Sequence, residues 1–152
     1  MGKPRVLFVC IGNSARSQMA EAWLRLWAGD RYEPVSAGTH PIPVHPLTVK
    51  VMQEVGADMS QARSQSVREL SGPFEYVITT CAEAEVDCPA LRGTRGTIRW
   101  HIHDPVGRAS ILSKENDRVR AFRRARDLIG GRVDEFLALH PGHDPEDAEE
   151  IP

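Results

Sequence analysis

The chain has 152 residues, enough for one ordinary domain and too few for two. Its 41% hydrophobic and 26% charged residues give a globular balance that excludes wholesale disorder and fibrous classes. The net charge of -2 conceals an uneven distribution: Asp144, Glu146, Asp147, Glu149 and Glu150 crowd the last nine positions, and without them 19 basic residues face 16 acidic ones. A mildly basic folded part suits a small oxyanion and argues against nucleic acid as a partner. No apolar run approaches the roughly 20 residues that span a bilayer. The run Val6 to Cys10 is also too short for a signal-peptide core, so a cytoplasmic protein without membrane partners is expected.

Arg5 to Cys10 is a run of β-branched and large apolar residues, which predicts a strand buried on both faces. The turn Ile11-Gly12-Asn13-Ser14-Ala15-Arg16 follows, and Ser17 to Ala28 has helical spacing, with Met19, Trp23 and Trp27 forming a core stripe and Gly29 as the stop. Glu33 to Ala37 predicts a second strand. Pro46 is suited to begin a helix carrying Leu47, Val51 and Val55 and closing at Gly56. A helical turn is expected at Val67 to Leu70, a third strand at Phe74 to Thr80 and a fourth at Ile98 to His103. Ser113 is the candidate N-cap of a long last helix, in which Gly130-Gly131 introduces a kink or a division in two. The arginines Arg123, Arg124 and Arg126 read as solvated helix surface. Residues 1–140 form the expected single domain, and 141–152 an acidic, disordered tail.

Strands alternating with helices imply an α/β fold with a parallel sheet and right-handed crossovers. Ligands bind such sheets beyond the carboxyl ends of the strands. Cys10, Cys81 and Asp104 each fall just past the end of a different predicted strand, so three chemically capable residues can converge on one rim. Backbone N–H groups of the loop between Cys10 and Arg16, with the positive end of the following helix, can cradle a tetrahedral anion. Arg16 adds a planar fork for two oxygens. The oxyanion-binding set is therefore Gly12, Asn13, Ser14, Ala15, Arg16 and Ser17. The same field favours a cysteine thiolate, which makes Cys10 a candidate nucleophile. Ser17 can donate its hydroxyl to that thiolate, and Asn13 can hold the loop's shape. An odd count of three cysteines suits reactive chemistry better than a disulfide scaffold. A zinc site built from cysteines with His101 and His103 has the wrong spacing, and no metal is expected.

The segments VLFVCIGNSARSQMAEAW and SAGTHPIPVHPLTVKVMQEVG, with the Asp104-Pro105 pair, resemble the low-molecular-weight protein tyrosine phosphatase superfamily over residues 5 to about 139, and the SQMAE and SAGT forms are close to its arsenate reductase branch. The resemblance implies a three-layer α/β sandwich with a four-stranded parallel sheet, Cys10 as nucleophile, Arg16 as oxyanion ligand and Asp104 as general acid. The segment CAEAEVDC resembles the redox region of thioredoxin-coupled members. By that resemblance Cys81 resolves the Cys10 adduct, Cys88 attacks Cys81, and the Cys81-Cys88 disulfide passes to thioredoxin. A helix between Cys81 and Cys88 would hold their Cα atoms about 10.5 Å apart, beyond the roughly 7 Å limit for a disulfide, so a mobile segment is expected. No tightly bound cofactor is implied, an alkali cation at the site is left open, and a monomer is expected. Val106-Gly107 stands where the phosphatases of this family carry the tyrosines of an aryl pocket. Two alternatives stay open: a small phosphatase working through a phosphocysteine, and a non-catalytic oxyanion or redox sensor.

Overall fold

Strand β1 (Arg5–Cys10) sends Val6 and Phe8 into a large apolar cluster and Leu7 and Val9 into a smaller one on the opposite face. That period of two, with both faces covered, is why the strand reads as a continuous apolar run. A computed structural model describes residues 2–81 and 92–142. Cys88, the segment expected to be mobile, and the acidic tail from residue 143 lie outside the described residues.

β1 pairs in parallel with β2 (Glu33–Gly38) on one side and β3 (Tyr76–Thr79) on the other, and β4 (Gly96–Arg99) extends the sheet in the order β2-β1-β3-β4. Helices α1 (Arg16–Ala28), α2 (Pro46–Glu54) and the last helix pack on the large-cluster face. A 3₁₀ turn (Val67–Glu69) with a Ser66/Glu69 capping box borders the smaller cluster, to which Val67 and Leu70 contribute. The expected four-stranded parallel sheet with flanking helices is present.

Several local expectations are corrected. β4 ends at Arg99, well before His103, because its partner runs out: Arg99 is in register with Thr79, the last residue of β3, and Trp100 N–H donates to Thr79 O at 2.8 Å. His101 and His103 therefore share no strand face. A short helix, α3 (Pro105–Ser110), follows instead. The last helix, α4 (Glu115–Leu139), is capped at Lys114 rather than Ser113, with Glu115 and Asp117 supplying negative charge to its first turn.

Gly130-Gly131 does not divide α4, which runs unbroken from Glu115 to Leu139. A Cβ on Gly130 would lie 3.0 Å from Trp23 Cε2, while Trp23 Nε1 donates to Arg126 O at 2.9 Å. The glycine lets an indole approach the helix, and that packing outweighs a helix penalty of about 1 kcal/mol. Trp23 is buried, but Trp27 is 41% exposed and only stacks on it at 4.4 Å, so the core stripe stops one turn short. Arg123 and Arg126 are not merely solvated, since both grip Glu54 at the end of α2, at 2.7 and 2.8 Å.

Candidate active site

The residues 10–14 bend because their carbonyls are spoken for. Thr39 N–H donates to Cys10 O, His40 N–H to Ile11 O, Ile42 N–H to Gly12 O, Ser64 Oγ to Asn13 O, and His45 N–H with Thr48 Oγ1 to Ser14 O. In a planar trans peptide the following N–H points opposite to the carbonyl. Five carbonyls turned toward the scaffold thus turn the amides of residues 11–15 the other way, toward Cys10. Asn13 N–H demonstrates it by donating to Cys10 Sγ at 3.1 Å.

Asn13 is the keystone. Its φ is +49°, in the left-handed region where asparagine is tolerated best after glycine. Its side chain is fully buried and uses its whole bonding capacity: Oδ1 accepts from Gln65 N–H and Gln18 Nε2, and Nδ2 donates to Ser17 Oγ and Ser36 Oγ at 2.9 Å each. Asn13 Nδ2 holds Ser17 Oγ 2.8 Å from Cys10 Sγ, where a Cys10 thiolate, with no hydrogen of its own to give, would accept the hydroxyl's hydrogen. Ser36 passes the network on to Glu21 Oε1 at 2.9 Å. Asn13 thus ties the loop to Gln18, Ser36 and Gln65, and Ser17 stands within hydrogen-bond distance of Cys10.

The close approach of β2 is what permits the loop. A Cβ on Gly38 would sit 2.4 Å from Ile11 O and 2.9 Å from Asn13 N, so only glycine fits there. Arg16 is buried in the first turn of α1 and donates from Nη1 to Ile102 O at 3.0 Å, which orients the guanidinium and leaves further donors on the fork. Ser14 Oγ is buried without a hydrogen-bond partner among the described residues.

A cavity of about 320 Å³ opens over the loop, lined by Cys10, Gly12, Ser14, Ala15 and Arg16, and by Asp104 and Val106 from the far edge of the sheet. Of the predicted convergence of Cys10, Cys81 and Asp104 on one rim, the cavity brings together Cys10 and Asp104, with Arg16 beside them. Asp104 reaches it not from a strand end but as the N-cap of α3, where Oδ1 accepts from Val106 N–H at 3.0 Å. Cys81 does not line the cavity. It is buried in the smaller apolar cluster together with Cys10, Val9 and Val77, just beyond β3. Cys10 thus meets the anion cavity on one side and shares apolar surroundings with Cys81 on the other.

His40 and Ile42 complete the cavity wall, and sequence reading assigned them no part. Gln18, Ser36, Ser64 and Gln65 were missed in the same way. The helical step from Arg16 through Gln18 offers a weak cue for one of them, whereas the others come from segments linked to the loop only by the fold. His45 caps α2 through Nδ1, which accepts from Leu47 N–H at 3.0 Å. Burial lowers its proton affinity, against the pull of Asp104 and Glu115, and the neutral ring is the form that can accept this bond.

Similarity to known proteins follows the same geometry. Residues 5–140 match the low molecular weight phosphotyrosine protein phosphatase family. An arsenate reductase of Halalkalibacterium halodurans is 37% identical over 137 residues, which is 90% of this chain and 96% of that one. A solved arsenate reductase in its phosphate-binding state superposes with a TM-score of 0.71 at 27% identity, covering 89% of this chain and 97% of the other. The thioredoxin-dependent arsenate reductase of Corynebacterium glutamicum gives 0.67 at 29% identity, over 90% of this chain and 61% of that longer one. With its family match spanning the whole sheet and the loop that holds Cys10, this chain belongs to the low molecular weight phosphotyrosine protein phosphatase family.

Proposed function

We propose that the chain is an arsenate reductase that uses thioredoxin as its electron donor. The carrying observation is the double environment of Cys10, whose sulfur receives the Asn13 N–H and lies 2.8 Å from the Ser17 hydroxyl at the floor of a cavity, while the residue shares a buried cluster with Cys81. Arsenate sits in the cradle formed by the loop amides of residues 12–15 and the Arg16 fork. The Cys10 thiolate attacks arsenic, and Asp104 protonates the departing oxygen, which leaves as water. Oδ1 of Asp104 is occupied by the cap bond, so Oδ2 carries that proton.

The Cys81 thiolate then attacks the Cys10 sulfur. A Cys10-Cys81 disulfide forms, the sulfur-arsenic bond breaks, and its electron pair stays on arsenic, which departs as arsenite. Cys88 attacks the Cys81 sulfur, releases the Cys10 thiolate and leaves a Cys81-Cys88 disulfide, which the dithiol of thioredoxin reduces. Residues 1–140 form the catalytic unit, acting as a monomer in the cytoplasm, where such a dithiol donor operates. Among the described residues no helix is long and apolar enough to cross a membrane.

The cavity wall also bears on substrate. Among the described residues it carries Ile42, Val106 and His40 and no phenylalanine, tyrosine or tryptophan, so an aryl phosphoester has little to stack on. The deciding experiment is arsenate reduction coupled to thioredoxin, with mass spectrometry of the enzyme after turnover and p-nitrophenyl phosphate as a parallel substrate. A Cys81-Cys88 linkage with arsenite release is expected. Phosphate ester turnover without arsenite would replace this reading with that of a phosphatase.

A further inference from the structure

His40 and Asp104 both line the cavity and reach it from different parts of the fold. His40 follows β2, at one edge of the sheet, whereas Asp104 arrives from beyond β4, at the other, and Cys10 lies between them at the end of β1. Its backbone is pinned, since its N–H donates to Ile11 O at 2.8 Å. The ring is exposed, and Nδ1 lies 3.2 Å from Thr39 Oγ1. When the Thr39 hydroxyl donates to Nδ1, the neutral ring carries its hydrogen on Nε2, so a donor stands at the wall without the ring being charged.

We propose that His40 is a substrate-contacting residue that donates from Nε2 to an oxygen of the bound inorganic oxyanion, and that it selects a free oxyanion over an ester. This rests on the reductase reading for its natural substrate, but its binding role does not depend on it. The cradle amides and Arg16 serve the oxygens nearest Cys10, and Asp104 serves the oxygen that leaves. Beside Arg16, Asp104 and the buried Ser14 hydroxyl, His40 supplies the remaining nitrogen- or oxygen-bearing side chain among the lining residues, next to the apolar Ile42 and Val106. A free oxyanion offers an oxygen to it, whereas an organic ester presses a substituent into the same wall. Arg16 and Asp104 are the charged groups that line the cavity with the ring.

The test uses the full chain with His40→Ala, His40→Asn and Thr39→Val, and has two readouts. The first is protection of Cys10 from iodoacetamide by inorganic phosphate and by arsenate, which needs no reductase turnover. The second is the split of KM and kcat for arsenate against p-nitrophenyl phosphate. Loss of one hydrogen bond to a charged acceptor weakens oxyanion protection and raises the arsenate KM about tenfold in His40→Ala, with kcat changed little. The p-nitrophenyl phosphate KM stays level or falls. His40→Asn restores part of the binding, and Thr39→Val weakens it less than His40→Ala does. Equal protection in wild type and His40→Ala overturns the proposal, as does an equal loss for both substrates accompanied by a lowered melting temperature. If arsenate is not reduced at all but phosphate protection still depends on His40, the reductase reading fails and the binding role stands.

Discussion

Asn13 Nδ2 donates to Ser17 Oγ at 2.9 Å and so holds that oxygen 2.8 Å from Cys10 Sγ, where a Cys10 thiolate can only accept the hydroxyl's hydrogen. Asn13 and Ser17, three and seven positions on, thus set the surroundings of the Cys10 sulfur in which the proposed attack would begin. Replacing Ser17 by alanine removes a bond to an anionic sulfur worth roughly 1.5–3 kcal/mol. Turnover and the rate of Cys10 alkylation at fixed pH are expected to fall about tenfold or more, with iodoacetamide kinetics and peptide mapping as the measurement. An unchanged alkylation rate would remove Ser17 from the mechanism.

Cys81→Ser separates the two halves of the proposed reaction. Attack on arsenate by Cys10 proceeds once, steady-state arsenite formation stops, and any p-nitrophenyl phosphate turnover survives. Single-turnover and multiple-turnover assays read the two arms. Wild-type arsenite production in the variant would defeat the resolving role of Cys81.

Gly38→Ala should damage the loop from outside. Its new Cβ would meet Ile11 O at 2.4 Å and Asn13 N at 2.9 Å, both backbone atoms that can move only by reshaping the cradle. We expect a stability loss of about 1–3 kcal/mol in urea unfolding and a larger relative loss of oxyanion binding. Retained binding in a destabilised variant would show that the loop tolerates the shift.

Ser14→Ala should behave in the opposite way. Ser14 Oγ is buried without a partner among the described residues, so deleting it removes a desolvated hydroxyl while the backbone donors stay. Stability should hold or rise by up to about 1 kcal/mol, and oxyanion protection of Cys10 should be kept. A clear fall in binding would instead assign the hydroxyl to the anion.

Acid sensitivity should follow two groups. His45, lowered from its ordinary 6.5 chiefly by burial, stays neutral in the fold while the unfolded chain binds a proton, so its contribution weakens as pH falls below about 6.5. Glu54 is held at about 2, first by its hydrogen bond from Arg123, against an ordinary 4.5. Its contribution is complete above 4.5 and is lost as pH falls from there toward 2. Glu54 is partly exposed, so the effect is modest. Urea unfolding of Glu54→Gln at pH 6 and pH 4 should show a smaller drop than wild type between those values, and an identical drop would break the assignment.

Much of this was readable before folding wherever a signal is local. β1 announces itself because a strand covered on both faces must be apolar throughout, and α1 because its stripe recurs with the helical turn. The fourth strand was misplaced because strand length depends on a partner, and Thr79 leaves β3 with nothing to offer beyond Trp100. Gly130 reads as a breaker by propensity, yet it is the gap into which Trp23 packs, 107 positions earlier in the chain.

The same division runs through the site. Sequence alone singles out Cys10, its loop and Arg16 as a candidate site, because a strand, a tight turn and a helix start lie within a few residues of each other, and it marks Asp104 as a capable residue past the end of another predicted strand. Only the tertiary structure decided that Asp104 works from a helix cap, that Gln18, Ser36, Ser64 and Gln65 hold the loop, and that His40 joins the wall. The physical reason is that the parallel sheet delivers residues from separate crossovers to one rim. Which of them meet there depends on strand order and register, β2-β1-β3-β4, and no local pattern encodes that order.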